Sequence, residues 1–480
     1  MFIKNITIKN FRCFENENIT FSTPDGKNIG SGLNILIGEN GNGKTAVLEA
    51  IEYLTQSRLK TRSSISLKDF QNIKKDVAIT GETDAFKVNN VYGRGKFDCD
   101  GFIFEAKARE VDSSGLVSSI VFDNKVKQTS GSSPVKPYEL RLDVSMPWGT
   151  SRLPDINIVY FDKNRKRHIS KGMYPSRFDD LINDLNFQIL EKINSLNESV
   201  KDEKELKDKI LGINDATRDI LLKNVSDKFL GDALKDCANF FKHDIRLDII
   251  SNFDPFSSSF FSARNNKNLH QLPIAQLGSG TEMIFSIVFL YHYYAKGGGS
   301  LIFLIDEPEL HLHPIWQSKL IEFLMRISTN TQVFISTHSP FLFKNSLSSK
   351  AGLFVFDTNK KEEIEINDAR KSGWGHFPWS PSWGEINYYA YHLPTVEFHN
   401  EIYGFLQEKA GIVSITDFDT YLQKRGVKDL KKYKISSSKE DDITICTYVR
   451  NRIHHPENTL NPRYTDAELR QSTELLLGCF

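Results

Sequence analysis

The sequence predicts an α/β protein organised around a parallel β-sheet, and three neighbouring segments lead to that prediction. Residues 301–305 are five consecutive apolar residues, a run short enough for a strand that is buried on both faces. Residues 314–328 form an amphipathic stretch, and residues 332–335 are a second apolar run. A strand, a helix and a second strand in this order are typical of a parallel sheet.

Polar side chains follow both of these strands. Asp306 and Glu307 come directly after the first strand, and His338 lies in the STHSP turn after the second. Ligands of open parallel sheets bind at the carboxyl ends of the strands, so we expect one crevice to collect these three side chains. Two carboxylates in such a crevice suit a metal ion and a water molecule.

The segment Gly38–Thr45 reads GENGNGKT and matches G-x-x-x-x-G-K-[ST] between an apolar run and a helical run. Glycines let backbone N–H groups turn towards a phosphate, and the helix N-terminus adds its dipole. Lys44 is expected to reach the β- and γ-phosphates of ATP, while Thr45 and Asp306 are expected to bind Mg²⁺. The residues of the loop expected to bind the nucleotide are Asn40, Gly41, Asn42, Gly43, Lys44 and Thr45.

A second anion site is predicted further along the chain. Ser279 and Gly280 belong to a Gly-Ser-Gly turn that precedes the apolar run MIFSIVFLYHYYA, which is most simply a buried helix. Backbone N–H groups at such a helix start attract anions. The turn alone is a weak signal, but its position before the acid-ended strand makes it a candidate part of the same site.

Composition narrows the functional classes. The 480 residues suggest two or three units, and 61 Lys and Arg balance 61 Asp and Glu. Without an overall basic field, binding of DNA or RNA would depend on local patches. Five cysteines without a CxxC pair argue against a structural zinc site and against a disulfide framework. The sequence has neither a signal peptide nor a membrane span, so we expect a cytoplasmic protein with no membrane partner.

Periodicity suggests four parts. Residues 1–177 are expected to form the N-terminal lobe of an α/β head, with an antiparallel meander over residues 60–150. Residues 178–244 carry two apolar helical stripes, expected as a short helical arm, and residues 245–372 complete the head. Residues 373–480 are expected to be an irregular aromatic connector, up to residue 395, followed by a helical C-terminal domain. Thr416 and Thr465 are candidate helix caps there.

These pieces, in this order, resemble the ABC-type ATPases of the SMC, Rad50, RecF and OLD superfamily over about residues 1–360. The resemblance is carried by the IKNFRCF opening, the Walker A loop, a signature-like LGSGTE, the acid-ended Walker B strand, EPELHLHP as D-loop and STHSP as H-loop. It implies that Glu307 activates the attacking water and that His338 contacts the γ-phosphate.

The same resemblance implies a homo-oligomer. In the family, signature residues complete the ATP site of a second protomer in a head-to-tail dimer, a role that would fall to Ser279 and Gly280. The sequence departs from the family at Gly278, which stands where the signature serine normally lies. No Q-loop glutamine is evident either.

The C-terminal part distinguishes possible subfamilies. OLD-type members carry a Toprim nuclease, and Asp417-Phe418-Asp419 has the required spacing, but these residues lie at a predicted helix start without a preceding strand. We therefore expect no Toprim site. A stand-alone ATPase with its own helical tail resembles prokaryotic anti-phage ATPases, in particular those of the Septu type, which work with a separate HNH nuclease.

The tail also contains a competing motif. Arg450 and His455 have the R-x4-H spacing of HEPN-type ribonucleases, which are small helical bundles. There an Arg stabilises phosphate charge and a His transfers protons at the 2′-OH. Alternatively, the two residues form a polar helix end or a docking surface. The leading hypothesis is thus a nucleotide-gated regulator of a partner nuclease, followed by a self-contained RNase effector and by a RecF-like DNA repair ATPase.

Overall fold

We describe the protein from a computed structural model. It covers residues 1–55, 65–89, 96–110, 117–129, 139–141, 156–162, 167–171, 174–176, 229–241, 244–248, 260–264, 271–273, 279–295, 300–310, 312–359 and 363–480. These residues divide into two compact units, of which the first comprises residues 1–35 and 43–351 and the second residues 36–42 and 352–480. Within the described residues, no helix combines the length and apolarity needed to cross a membrane.

The strands, in chain order, are β1 (Ile3–Phe11), β2 (Phe14–Thr20), β3 (Leu33–Gly38), β4 (Val77–Asn89), β5 (Lys96–Glu110), β6 (Val117–Gln128), β7 (Glu139–Arg141), β8 (Ile156–Phe161), β9 (Arg167–Lys171), β10 (Tyr174–Ser176), β11 (Asp244–Asp248), β12 (Phe260–Arg264), β13 (Gln271–Pro273), β14 (Ser300–Asp306), β15 (Gln332–Thr337), β16 (Gly352–Thr358), β17 (Ile364–Asp368), β18 (Leu430–Ser436) and β19 (Lys439–Thr444).

The helices are α1 (Lys44–Thr55), α2 (Phe229–Phe241), α3 (Ser279–Ala295), α4 (Pro314–Ile327), α5 (Pro340–Lys344), α6 (Trp383–Tyr391), α7 (Val396–Lys409), α8 (Ile415–Lys424), α9 (Ile445–His454) and α10 (Asp466–Leu477). The predicted α/β class is confirmed, as are the α1 helix and the buried α3 helix.

One sheet is antiparallel and has the strand order β2-β1-β4-β5-β6-β7. It confirms the meander predicted over residues 60–150. The apolar side chains of β1 at Ile3, Ile6 and Ile8 are buried, which follows from their placement along the strand.

The larger sheet carries the predicted strand, helix and strand unit. Its order is β10-β9-β8-β14-β15-β3-β16-β17, and β14 pairs in parallel with both β8 and β15. Every residue of β3 and β15 is buried, as expected for strands covered on both faces. Asp306 lies opposite Ser336 in the parallel register, so the carboxyl ends of β14 and β15 meet at one edge.

The predicted helical arm lies mostly outside the described residues. Only its last part is described, where α2 packs against α3. Lys319 of α4 donates a hydrogen bond to the carbonyl oxygen of Phe240 at 2.6 Å and so caps the end of α2. Strands β11 to β13 form a separate antiparallel sheet.

The second unit has its own core. Apolar side chains from α7, α8, α9 and α10 are buried together, including Phe398, Phe418, Val449 and Leu476. Strands β18 and β19 add an antiparallel hairpin to these helices. The contact-based division falls at residue 352, earlier than the boundary expected at residue 373, and the four-part division of the chain stays a prediction.

Three local predictions for the tail were wrong. The stretch 373–395 was expected to be irregular, yet it contains α6, because Ser382 and Glu385 form a capping box at its start. Residues 441–444 lie in the part of the chain that was expected to be helical but belong to β19, where cross-strand pairing overrides local propensity. Ser414, not Thr416, caps α8. Thr465 does cap α10.

Candidate functional site

The Walker A loop connects β3 to α1, as predicted. Gly41 and Gly43 have φ angles of 87° and 85°, in the left-handed region that favours glycine. A Cβ atom on Gly43 would lie 2.5 Å from Cζ of Phe14 and 2.6 Å from Sγ of Cys13, so a larger residue does not fit there. The loop therefore keeps its backbone exposed along a tight turn that ends at the N-terminus of α1, as a phosphate-binding loop does.

The first part of the loop is anchored within the second unit. Nδ2 of Asn42 donates a hydrogen bond to the carbonyl oxygen of Phe356 at 3.3 Å, and the Thr358 hydroxyl donates to Oδ1 of Asn42 at 3.4 Å. Asn40 and Gly41 are exposed. The side chain of Asn42 therefore holds the loop to β16, while the preceding two residues face solvent.

Thr45 and Asp306 lie side by side at the start of α1 and the end of β14. The Thr45 hydroxyl is 3.0 and 3.1 Å from the two carboxylate oxygens of Asp306. The Ser336 hydroxyl also donates to Asp306 and accepts a hydrogen bond from the Glu307 N–H at 3.0 Å. Sequence reasoning gave Ser336 no role, although its place at the end of β15 was visible.

His338 lies between Lys44 and Glu307. Nε2 of His338 is 3.3 Å from Oε1 of Glu307, and Nδ1 is 3.5 Å from Nζ of Lys44. An ammonium group only donates hydrogen bonds, so a bond from Lys44 requires Nδ1 as the acceptor, with the ring proton on Nε2, facing Glu307. The structure thus brings together the three side chains that were expected in one crevice.

Glu307 has an unusual backbone conformation. Its φ angle is 49°, in the left-handed region that a non-glycine residue rarely occupies. Its N–H group contacts the carbonyl oxygen of Ser336 at 3.2 Å as well as the Ser336 hydroxyl. Such conformations persist where the surrounding structure fixes them, and they cluster at functional sites.

The predicted signature segment is described only from Ser279 onward. Ser279 begins α3 and Gly280 is buried, whereas the side chain of Ser279 and the preceding residues 274–278 lie outside the described residues. The expectation of a helix start at this turn is confirmed. The contact of Ser279 and Gly280 with a nucleotide stays a prediction.

Arg12 contacts α1, the helix that follows the Walker A loop. The sequence analysis assigned no role to it. Its guanidinium pairs with Glu49 of α1 and with Asp69, from which Nε lies 2.9 Å away. Burial raises the pKa of Glu49 to about 7, and the Arg12 charge opposes that rise. The IKNFRCF motif contained the available signal, but the partners of Arg12 are distant in sequence.

The described residues fit Mg²⁺ bound with a nucleotide. Among them, no group of three or more His, Cys, Asp or Glu side chains has metal-binding geometry. Thr45 and Asp306 offer hard oxygen donors, and Mg²⁺ commonly takes one or two protein ligands and completes its shell with phosphate and water. This donor set fits a metal that arrives with a triphosphate.

In the C-terminal motif, the side chains of Arg450 and His455 each contact a different neighbour. His455 is the C-cap residue of α9, and its Nδ1 lies 3.0 Å from a carboxylate oxygen of Glu457. Nη1 of Arg450 donates to Oδ1 of Asn451 at 3.1 Å. Arg452 closes the helix end, because its Nη1 donates to the carbonyl oxygens of His455 and Asn458, at 2.8 and 2.6 Å.

Asp419, one member of the acidic pair that has Toprim spacing, makes structural contacts. Asp419 is buried in α8, as expected for a helix start rather than a strand end, and accepts hydrogen bonds from the N–H and the hydroxyl of Thr444 at 3.0 and 2.6 Å. Its second oxygen accepts from Gln423 at 2.9 Å. These contacts join α8 to the start of α9 and provide hydrogen-bond partners for both oxygens of the buried Asp419 carboxylate.

A phosphate-binding loop, an acid-ended strand and a His-bearing turn at one sheet edge define a P-loop ATPase. Comparison with known families agrees with this class. The chain belongs to the AAA_15 family, the AAA ATPase domain, which it matches over residues 1–130 and 153–343.

Individual relatives are similar over parts of the chain. The DNA replication and repair protein RecF of Streptococcus agalactiae is 43% identical over 83 residues, which cover 17% of this chain and 20% of RecF. Septu protein PtuA of Bacillus thuringiensis is 28% identical over 152 residues, or 30% of this chain and 37% of PtuA. Endonuclease GajA of Bacillus cereus is 24% identical over 359 residues, or 71% of this chain and 56% of GajA.

The chain thus spans about a fifth of the length of the RecF relatives that it matches. These similarities confirm the resemblance to the ATPases of the RecF and Septu types. The family match shows that the chain carries an ATPase domain.

Proposed function

We propose that this ATPase is a regulator in prokaryotic anti-phage defence that gates a partner nuclease of the HNH type through nucleotide-dependent head dimerisation. The observation that carries the proposal is the joint position of Lys44, Thr45, Asp306, Glu307 and His338 at one sheet edge. Similarity to a Septu protein over 30% of the chain supports the placement in defence.

Each residue has a proposed chemical role. Lys44 binds phosphate oxygens with its ammonium group, and Thr45 and Asp306 hold Mg²⁺ through oxygen atoms. Mg²⁺ held by these two residues would supply positive charge that offsets the charge developing on a transferring phosphoryl group. Glu307 orients a water molecule and accepts its proton, while the Nε2–H of His338 donates a hydrogen bond to Glu307 and so fixes the direction of that carboxylate.

The proposed dimer is head-to-tail. Ser279 and Gly280 lie at the N-terminus of α3, where the first backbone N–H groups of a helix have no partner within the helix and attract anions. We propose that they contact the γ-phosphate held by the Walker A loop of a second copy. Nucleotide would then bridge two protomers, and hydrolysis would release them.

The second unit favours a separate effector over a built-in RNase. Arg450 and His455 each contact another neighbour, and His455 pairs with Glu457, which ties its Nδ1 to a carboxylate. We propose that this unit docks the partner nuclease. A RecF-like role in DNA repair is the less favoured alternative, because the net charge is zero.

Two substitutions test the nucleotide site. Lys44→Ala removes the charge that a triphosphate requires, so ATP binding measured by calorimetry should be lost. Glu307→Gln should retain ATP affinity and lose turnover, since only the proton acceptor is neutralised. Normal affinity in Lys44→Ala, or parental hydrolysis in Glu307→Gln, would overturn the assignment.

Association and gating are tested with the same proteins. Light scattering with Glu307→Gln and ATP should show dimers or larger assemblies, and Lys44→Ala should not assemble. If the parental protein stays monomeric at all concentrations while it hydrolyses ATP, the proposed dimer is refuted. If an HNH nuclease encoded by an adjacent gene binds the full chain but cuts DNA equally with and without ATP, gating is wrong.

A further inference from the structure

Glu309 lies in the turn that follows β14 and contacts the turn that follows β15. Its Oε1 accepts a hydrogen bond from the His338 N–H at 2.5 Å and another from the Thr337 hydroxyl at 2.9 Å. One carboxylate oxygen therefore holds two consecutive residues of the His-bearing turn. The turn that carries Glu307 and the turn that carries His338 are joined through it.

Further hydrogen bonds close this connection into a ring. The Ser339 N–H donates to the Thr337 hydroxyl at 2.9 Å, and the Ser339 hydroxyl donates to Oε1 of Gln317 at 2.6 Å. Nε2 of Gln317 in turn donates to the carbonyl oxygen of Leu312 at 3.0 Å, in the same loop as Glu309. Gln317, Thr337 and Ser339 are buried, so water does not compete readily for these bonds.

The Glu309 side chain makes these contacts at a cost in folding free energy, which suggests that it does more than stabilise the fold. Oε2 of Glu309 is buried and has no hydrogen-bond partner among the described residues. Burial raises the pKa of Glu309, although the two donors at Oε1 oppose that rise. A carboxylate oxygen that is buried without a partner costs folding free energy, and such costs are typical of sites shaped by function.

We propose that Glu309 is a positioning residue for ATP hydrolysis, which fixes the main chain of His338 so that its ring stays between Lys44 and Glu307. The ring has contacts of 3.5 and 3.3 Å on its two nitrogen atoms, and a shift of the His338 backbone would lengthen at least one of them. Glu309 thus acts on Glu307 through His338. The inference rests on the role proposed above for His338.

The test compares Glu309→Ala with Glu309→Gln. The Ala variant leaves the His338 N–H and the Thr337 hydroxyl without their acceptor, so we expect kcat to fall about 10- to 100-fold with ATP affinity nearly unchanged. The Gln variant keeps an acceptor oxygen at Oε1, so its kcat should lie within a few-fold of the parental value. Loss of kcat in both variants alike would show that charge, and not position, matters.

A double-mutant cycle shows whether Glu309 acts through His338. If it does, Glu309→Ala should slow hydrolysis little further in a His338→Ala background, whereas independent roles would give additive losses. Glu385→Ala is the matched control, because Glu385 is a buried carboxylate that accepts from the His376 N–H at 2.6 Å and from the Ser380 hydroxyl at 2.8 Å. It should lose stability and keep its kcat per folded molecule.

These outcomes distinguish the role inferred for Glu309 from the role proposed for His338. Parental kcat in Glu309→Ala, with slow hydrolysis in His338→Ala, would overturn only the inference about Glu309. Parental kcat in His338→Ala would overturn the proposed role of His338 itself. Equal loss of kcat in Glu309→Ala and Glu385→Ala would reduce Glu309 to a contributor to stability.

Discussion

Two glycines of the Walker A loop should respond very differently to the same substitution. Gly41 and Gly43 have nearly identical φ angles of 87° and 85°. A Cβ on Gly41 would meet no atom within 4 Å, whereas a Cβ on Gly43 would overlap the ring of Phe14 and the sulfur of Cys13. The pair therefore separates the cost of backbone strain from the cost of steric overlap.

The structure sets the expected magnitudes. Alanine in the left-handed region costs roughly 1–2 kcal/mol of folding free energy, and this is the whole cost expected for Gly41→Ala. Gly43→Ala should cost a further 1–3 kcal/mol or so, typical of an overpacked site. Relief by movement is limited, because the Phe14 side chain is only 1% exposed and its ring cannot turn outward.

Urea denaturation followed by tryptophan fluorescence measures the difference. We expect Gly43→Ala to unfold at a clearly lower urea concentration than Gly41→Ala, with a free energy of unfolding lower by at least about 1 kcal/mol. Equal destabilisation by the two substitutions would show that the loop relaxes around Gly43. Greater destabilisation by Gly41→Ala would refute the packing described for this loop.

Two further predictions concern the second unit. Arg450→Ala and His455→Ala should leave the free energy of unfolding nearly unchanged, and the parental protein should not cleave RNA. Metal-independent RNA cleavage that is lost in His455→Ala would establish the ribonuclease alternative. The buried His399 has a pKa lowered from 6.5 to about 4 by burial, so the unfolded chain takes up a proton that the folded chain refuses. Stability should therefore fall by roughly 3 kcal/mol as the pH drops from about 6.5 to about 4, and His399→Gln should remove that part of the pH dependence in urea titrations.

Much of the structure of the second unit could not be predicted from the sequence. The hairpin β18–β19 pairs Lys432 with Asp442 and Lys434 with Glu440, and local propensity did not show that these charged residues would face each other across two strands. Helix α6 was hidden by the prolines and aromatic residues around it, although its capping box was present in the sequence. Arg452, and not Arg450, makes the contacts that close α9, because burial decides which of two arginines in one helix faces the interior.

The sequence by itself determined the class of this protein, because the Walker A loop and the acid-ended strand are local patterns whose residues are neighbours in the chain. It also predicted that Asp306, Glu307 and His338 would meet, since parallel strands place their carboxyl ends at one edge. Only the tertiary structure decided that Nδ1 of His338 faces Lys44, that Ser336 holds Asp306, and that Glu309 holds the His338 turn. Those contacts depend on strand register and on side-chain direction between segments far apart in the chain, and neither is encoded in local periodicity.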